Sequence, residues 1–170
     1  MGVVQAEFSA PWSRSLRILS TVAVIILVGL TVASLLITAR LPLPARIALG
    51  TAAPVVLLLA LLSMVRGYVL TDSQIEVRRL GWSTILPLAG LAAVSGEPDG
   101  MRGSLRLFGN GGLFAISGWF WNRKIGRYRA YATDPERAVL LRYRDGAKVV
   151  LTPHDVQHFI VRLRRLAAIT

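Results

Sequence analysis

The chain contains no cysteine. Disulfides, zinc–thiolate sites and thiol nucleophiles are excluded together. Acidic residues are scarce as well: nine Asp and Glu stand against twenty Lys and Arg, for a net charge of +11. Lysine itself is nearly missing, since Lys124 and Lys148 are the only two beside eighteen arginines. Those arginines are spread along the chain rather than massed, unlike the clustered basic footprint of a nucleic-acid binder. Basic residues beside anionic headgroups gain about 1 kcal/mol each. A lipid bilayer is therefore the expected partner, and nucleic acid is not.

Few acids also leave little for catalysis. No paired carboxylates and no Ser-His-Asp pattern stand out. His154 and His158 lie four apart, a spacing that suits two metal ligands, but no cysteine or acidic cluster accompanies them. A solvated helix face is the expectation there, with no metal. The glycines at Gly109, Gly111 and Gly112 lack the Gly-Lys-Ser/Thr and following helix of a phosphate-binding loop. The chain is expected to have no catalytic residues and no cofactor, and so not to be an enzyme.

Charge is missing altogether from two long runs. Nothing ionisable lies between Arg17 and Arg40, or between Arg46 and Arg66. As helices these runs would reach roughly 33 and 28 Å, close to the ~30 Å of a bilayer core. Residues 16–66 are expected to form a transmembrane helical hairpin. The first apolar run exceeds the usual 7–15 residues of a signal peptide and lacks a small-x-small cleavage site, so it reads as a retained anchor. Small residues at Gly29, Ala33, Gly50 and Ala53 suggest helix contacts, and Pro54 a kink. With no intramembrane charge, these helices anchor rather than transport. Arg14, Arg17, Arg66, Arg78 and Arg79 on one side outnumber Arg40 and Arg46 on the other. This bias places both termini in the cytoplasm of a two-span cell-membrane protein. Residues 1–15 read as a weakly patterned tail; its Trp12 and Arg14, with Arg17 and Arg66 at the two helix ends, serve as interfacial anchors.

Beyond Arg66 the pattern changes to short alternating segments separated by turn residues, the mark of β-structure. Strands are expected from Gly67, Gln74, Ser83, Leu91, Ser104, Leu113, Gly126, Val139 and Lys148. The run Gly109-Asn110-Gly111-Gly112 and the pair Asp145-Gly146 are expected to make hairpin turns. A final helix has Thr152 as expected N-cap, Pro153 at its first position and Asp155 in its first turn. Its apolar stripe, Val156, Phe159, Ile160, Leu163 and Leu166, must cover a sheet.

Several stretches resemble bacterial pleckstrin-homology (PH) domain proteins, which often follow a pair of transmembrane helices. They are Tyr68-Val69-Leu70-Thr71-Asp72, Ile75 to Trp82, Gly109 to Phe114 with Gly118, Gly126-Arg127-Tyr128, and Val150-Leu151-Thr152-Pro153 before Phe159. The resemblance implies an α+β fold: after the helical hairpin, a PH-like bent β-barrel of about seven strands with a C-terminal capping helix, over residues 67–170. It also implies a basic cluster on the first strands and their loop where phosphoinositides are bound. Here that loop is Thr71-Asp72-Ser73, without a basic residue.

The densest candidate site is the segment from Trp119 to Arg129. Trp119, Phe120 and Trp121 run into Arg123, Lys124, Arg127 and Arg129. At an exposed strand end these would meet lipid headgroups. Inside the barrel, Trp119 with Trp121, or Phe120 with Tyr128, would instead pack as core. The expected function is a membrane-anchored scaffolding module acting through a protein partner or homo-oligomer. The alternative is an anionic-lipid sensor using Trp119, Trp121, Arg123, Lys124, Arg127 and Arg129.

Overall fold

The computed structural model describes residues 4–37 and 41–168. Arg40, counted above in the helix-to-helix insert, lies outside them. The chain begins with a strand, β1 (Val4–Ser9), where a tail was expected. Val4, Ala6 and Phe8 alternate with polar residues, and Phe8 is buried. Two helices follow, α1 (Arg14–Ile37) and α2 (Leu43–Leu62). The Ser13 hydroxyl caps α1 by accepting the Leu16 N–H at 3.1 Å.

Both helices are long and apolar enough to cross a membrane, and only 6% of the most apolar window of each is buried. A core helix of a soluble protein would hide most of such a surface. The helices pack on each other, but Gly29 has no neighbour where a Cβ would stand, whereas a Cβ on Gly50 would meet Leu35 Cδ2 at 3.7 Å. Pro54 lies inside α2.

Nine further strands come next: β2 (Val65–Thr71), β3 (Gln74–Arg79), β4 (Ser83–Pro87), β5 (Leu91–Gly96), β6 (Leu105–Gly111), β7 (Ile116–Asn122), β8 (Gly126–Ala132), β9 (Val139–Tyr143) and β10 (Lys148–Leu151). They form two sheets rather than a closed barrel. The first has the order β1-β2-β3-β4 and the second β5-β9-β10-β8-β7-β6. The last helix, α3 (Val156–Leu166), closes the chain. It begins later than expected, because Asp155, not Thr152, is the cap and accepts the His158 N–H at 3.0 Å. Thr152 is drawn into the core instead. Its hydroxyl accepts the Thr133 N–H at 2.9 Å, and its own N–H donates to the Tyr68 hydroxyl at 3.1 Å. Complete burial pushes the Tyr68 hydroxyl up to about 12.

Two apolar clusters hold these layers. The larger lies between the sheets, where Tyr68, Leu70, Ile75 and Val77 meet Tyr131, Val139, Leu141 and Leu151 under Phe159 and Leu163 of α3. The smaller lies on the other face of the second sheet, built from Phe120, Tyr128, Ala130 and Leu140 with Met101 and Ile125. Asn122 pins the segment that covers it, donating to Gly100 O at 2.7 Å and Ser104 Oγ at 2.9 Å.

Candidate functional site

The helices are stitched to two turns of the sheets. At the end of α2, Gly81 N–H donates to Leu62 O at 3.1 Å and Leu80 N–H to Met64 O at 3.2 Å. Near the start of α1, the Phe114 N–H donates to Ser20 Oγ at 2.9 Å. Asn110 builds the β6–β7 turn with its own side chain, accepting from Gly112 N at 3.1 Å and Leu113 N at 2.9 Å. The turn therefore lies three residues later than expected, at residues 112–115, and β7 starts at Ile116.

From that turn β7 leads away from the helices. Six residues at about 3.3 Å carry the chain roughly 20 Å to Asn122. The aromatic–basic segment is split as a result. Trp119 stands near the helix ends, while Arg123 and Lys124 occupy the remote β7–β8 turn. Lys124 is committed there to Glu97 at 2.9 Å, and that contact holds the Glu97 carboxyl below its ordinary range.

Side-chain alternation divides the rest. Phe120 and Tyr128 point into the smaller core, stacked with centroids 5.9 Å apart. Trp119 pairs with Arg129 and Trp121 with Arg127 on the opposite face, the one that carries Tyr131. A bulge between Arg106 and Phe108 then sets Phe108 opposite Trp119, while Leu105 opposes Trp121. The first sheet does not reach this far across the second, so the face stays open. Phe108 is 77% exposed, Leu105 62% and Trp121 40%.

Where the sheets part, a cleft of about 280 Å³ opens beside Ser63 at the end of α2. Arg79, Phe108, Asn110, Ser117, Trp119, Arg129 and Tyr131 line it. Arg79 and Arg129 flank the Tyr131 ring at 4.8 and 5.1 Å. Arg79 also stacks on Trp82 at 5.4 Å, and Trp119 is covered by Arg127 at 4.6 Å. No carboxylate forms a salt bridge with Arg79, Arg127 or Arg129 among the described residues. Burial lowers the Arg79 pKa, and the Arg129 charge adds to that, against the pull of Tyr131.

Of the residues expected from sequence, Trp119, Trp121, Arg127 and Arg129 come together on this face. Arg79, Phe108 and Tyr131 were missed there, because nothing local in the sequence ties β3 to β8. Trp12, expected as an anchor, packs half-buried on Phe114 with ring centroids 5.9 Å apart. Arg14 and Arg17 are exposed on the first turns of α1, and Arg66 is exposed on β2. The Thr71-Asp72-Ser73 loop is the β2–β3 turn, where Asp72 accepts from Gln5 Nε2 at 2.6 Å. A larger opening, about 700 Å³, lies against β1, β2 and β3, but its Arg78 is paired with Glu7 at 2.9 Å. Among the described residues no group of three or more His, Cys, Asp or Glu is placed to hold a metal. His158 instead meets the Phe8 ring edge-on at 5.5 Å.

A small two-sheet domain with a packed C-terminal helix, preceded by two apolar helices, defines the class. The sequence pattern of one family, the bacterial PH domain, matches residues 66–167. The chain belongs to that family. No curated protein and no solved structure matches it.

Proposed function

We propose that this protein is a membrane-anchored binding module whose ligand is an extended, acidic segment of a protein partner, taken up along β6. The observation that carries this reading is the state of that strand. β6 ends its sheet, and among the described residues no strand pairs with its outer edge. Leu105, Leu107 and Phe108 all stand exposed on it. An edge of unpaired N–H and C=O groups is a template for strand addition, in which the backbone supplies affinity and side-chain sites supply choice. Exposed Arg106 on the strand itself, with exposed Arg127 and Arg129 two strands away on β8, favours an acidic segment. Binding, not catalysis, is the role.

A photo-crosslinking residue replacing exposed Leu105 in the full chain, in native membranes, tests this. The expected result is a discrete protein adduct that disappears when Leu107→Pro blocks the edge. An adduct of twice the chain's mass would identify the partner as a second copy. Crosslinks to lipid alone would overturn the reading.

A second reading is favoured by a different observation. Leu80, Trp82 and Phe108, all about half exposed or more, lie around the domain-side end of α2. With the helices in a bilayer, these side chains meet the headgroup layer, where indole and apolar rings are favoured. The domain then contacts anionic lipid through Arg79 and Arg129, not through Arg123 and Lys124. Full-length protein in nanodiscs containing brominated lipid should show tryptophan quenching that Trp82→Phe largely removes. Quenching that Trp82→Phe leaves unchanged sinks it.

A further inference from the structure

Two arginines share one aromatic ring, and among the described residues neither forms a salt bridge with a carboxylate. Arg79 and Arg129 both lie over Tyr131, within about 5 Å of its centroid. Like charges so placed repel each other unless a counter-charge joins them. The floor of the cleft also holds unspent hydrogen-bonding capacity. Tyr131 is 1% exposed, with its hydroxyl against the Thr84 and Arg79 side chains, and the buried Arg79 Nε has no hydrogen-bond partner among the described residues. Native proteins seldom leave such a buried group unpaired without a functional cause. At the rim, Ser117 and Asn110 add polar groups, and Ser63 closes the side next to α2.

We propose that this cleft binds a phosphate group between Arg79 and Arg129. Guanidinium forks bind phosphate oxygens in pairs, which suits a site with two arginines and no lysine. The size fits a group rather than a whole molecule. At about 280 Å³ the cleft falls just below the ~300–1,000 Å³ of pockets that enclose entire small ligands. The C-terminal end of α2 opposes an anion with about half a negative charge, which two full positive charges outweigh. The phosphate has two possible sources with the same chemistry: a phospholipid headgroup at the level of Ser63, or a soluble phosphate ester. The site rests on the lipid-surface reading only for the first source, and not at all on the β6 partner.

The test uses the full chain in a mild, non-phosphate detergent. Phosphatidylglycerol, glycerol phosphate and inorganic phosphate are titrated separately, and binding is read by thermal shift and by native mass spectrometry. The expected result is saturable binding of at least one of the three, weakened at least tenfold by Arg129→Gln. Arg129 is exposed, so this variant keeps the fold. Arg79→Lys, which keeps the charge but not the fork, should weaken binding as well, whereas Arg123→Gln with Lys124→Gln should leave it unchanged. Binding of the lipid alone assigns the source to the membrane; binding of glycerol phosphate with equal affinity assigns it to a soluble ester. Absence of binding for all three overturns the proposal, as does binding that Arg129→Gln does not alter. Loss of the site in this assay with tryptophan quenching intact would separate its failure from that of the lipid-surface reading.

Discussion

Gly109 and Gly118 face each other across β6 and β7, and both hold φ values in the left-handed region, +110° and +137°. A Cβ on Gly118 would stand 2.1 Å from Phe108 O, and one on Gly109 2.4 Å from Ser117 O. These are backbone atoms, so no side chain can swing aside. Gly118→Ala should therefore cost about 1–3 kcal/mol from conformation alone, with the clash added. It should also displace Phe108 and Trp119, which border the cleft. Thermal unfolding of the full chain in detergent measures the first effect, and tryptophan emission the second. A different residue-scale effect belongs to Glu97. Its pKa is lowered mainly by the Lys124 hydrogen bond, so its stabilisation is present at neutral pH and is lost as pH falls through the lowered value. Lys124 is 58% exposed, which keeps the contribution below about 1 kcal/mol. In Lys124→Gln the Glu97 carboxyl should titrate closer to its ordinary 4.5 by NMR, and the stability difference from wild type should vanish in acid.

The joint between α1 and the β6–β7 turn is the element that decides how the domain sits on its helices. Ser20 is 2% exposed and accepts the Phe114 N–H, while Leu19 fills the space over Gly112. Ser20→Ala leaves that buried N–H unpaired, at a cost of about 1–3 kcal/mol. Faster hydrogen exchange at Phe114, with exchange in β8 and β10 unchanged, would show that the joint alone has loosened; unchanged exchange at Phe114 would refute the coupling. The elements differ in how readable they are. The helices follow from uncharged length, and β3, β4, β5, β9 and β10 from alternation and turn residues, Asp145-Gly146 above all. β1 carries the same alternation in Val4, Ala6 and Phe8. It was hidden because its partner β2 comes only after two helices, so no local turn signals the pairing. The cleft was half legible for the same reason. Trp119 and Arg129 are ten residues apart and pair across one hairpin, whereas Arg79 reaches Tyr131 only once two sheets have packed. Thr152 shows the limit of a local cap signal, since a buried network with Tyr68 and Thr133 outbid the helix for its hydroxyl.

At the scale of the whole molecule, β1 pairs with β2 while α1 and α2 lie between them in sequence. The domain is thereby closed around the helical pair from both ends of it, and His154 N–H donates to Ser9 O at 2.9 Å as a further tie. Both domain-side helix ends are fixed, so the domain has little freedom to rotate about a linker. If the helices span a bilayer, the domain must lie on one side of it, on the side of Arg14, Arg17 and Arg66. The basic bias predicts that this side faces the cytoplasm. The absence of native cysteine makes this testable without background. A single cysteine replaces exposed Ser73 in the β2–β3 turn, and another, in a separate variant, replaces Leu41 beside the start of α2. With a membrane-impermeant maleimide on intact cells, Leu41→Cys should label and Ser73→Cys should label only after permeabilisation. The opposite pattern would invert the orientation and place the cleft and the β6 edge outside the cell, beyond the reach of cytoplasmic partners. Equal labelling of both positions before permeabilisation would mean that the two helices do not span at all. The exposed apolar surface of α1 and α2 would then need a protein cover, supplied by a second copy or by a partner chain.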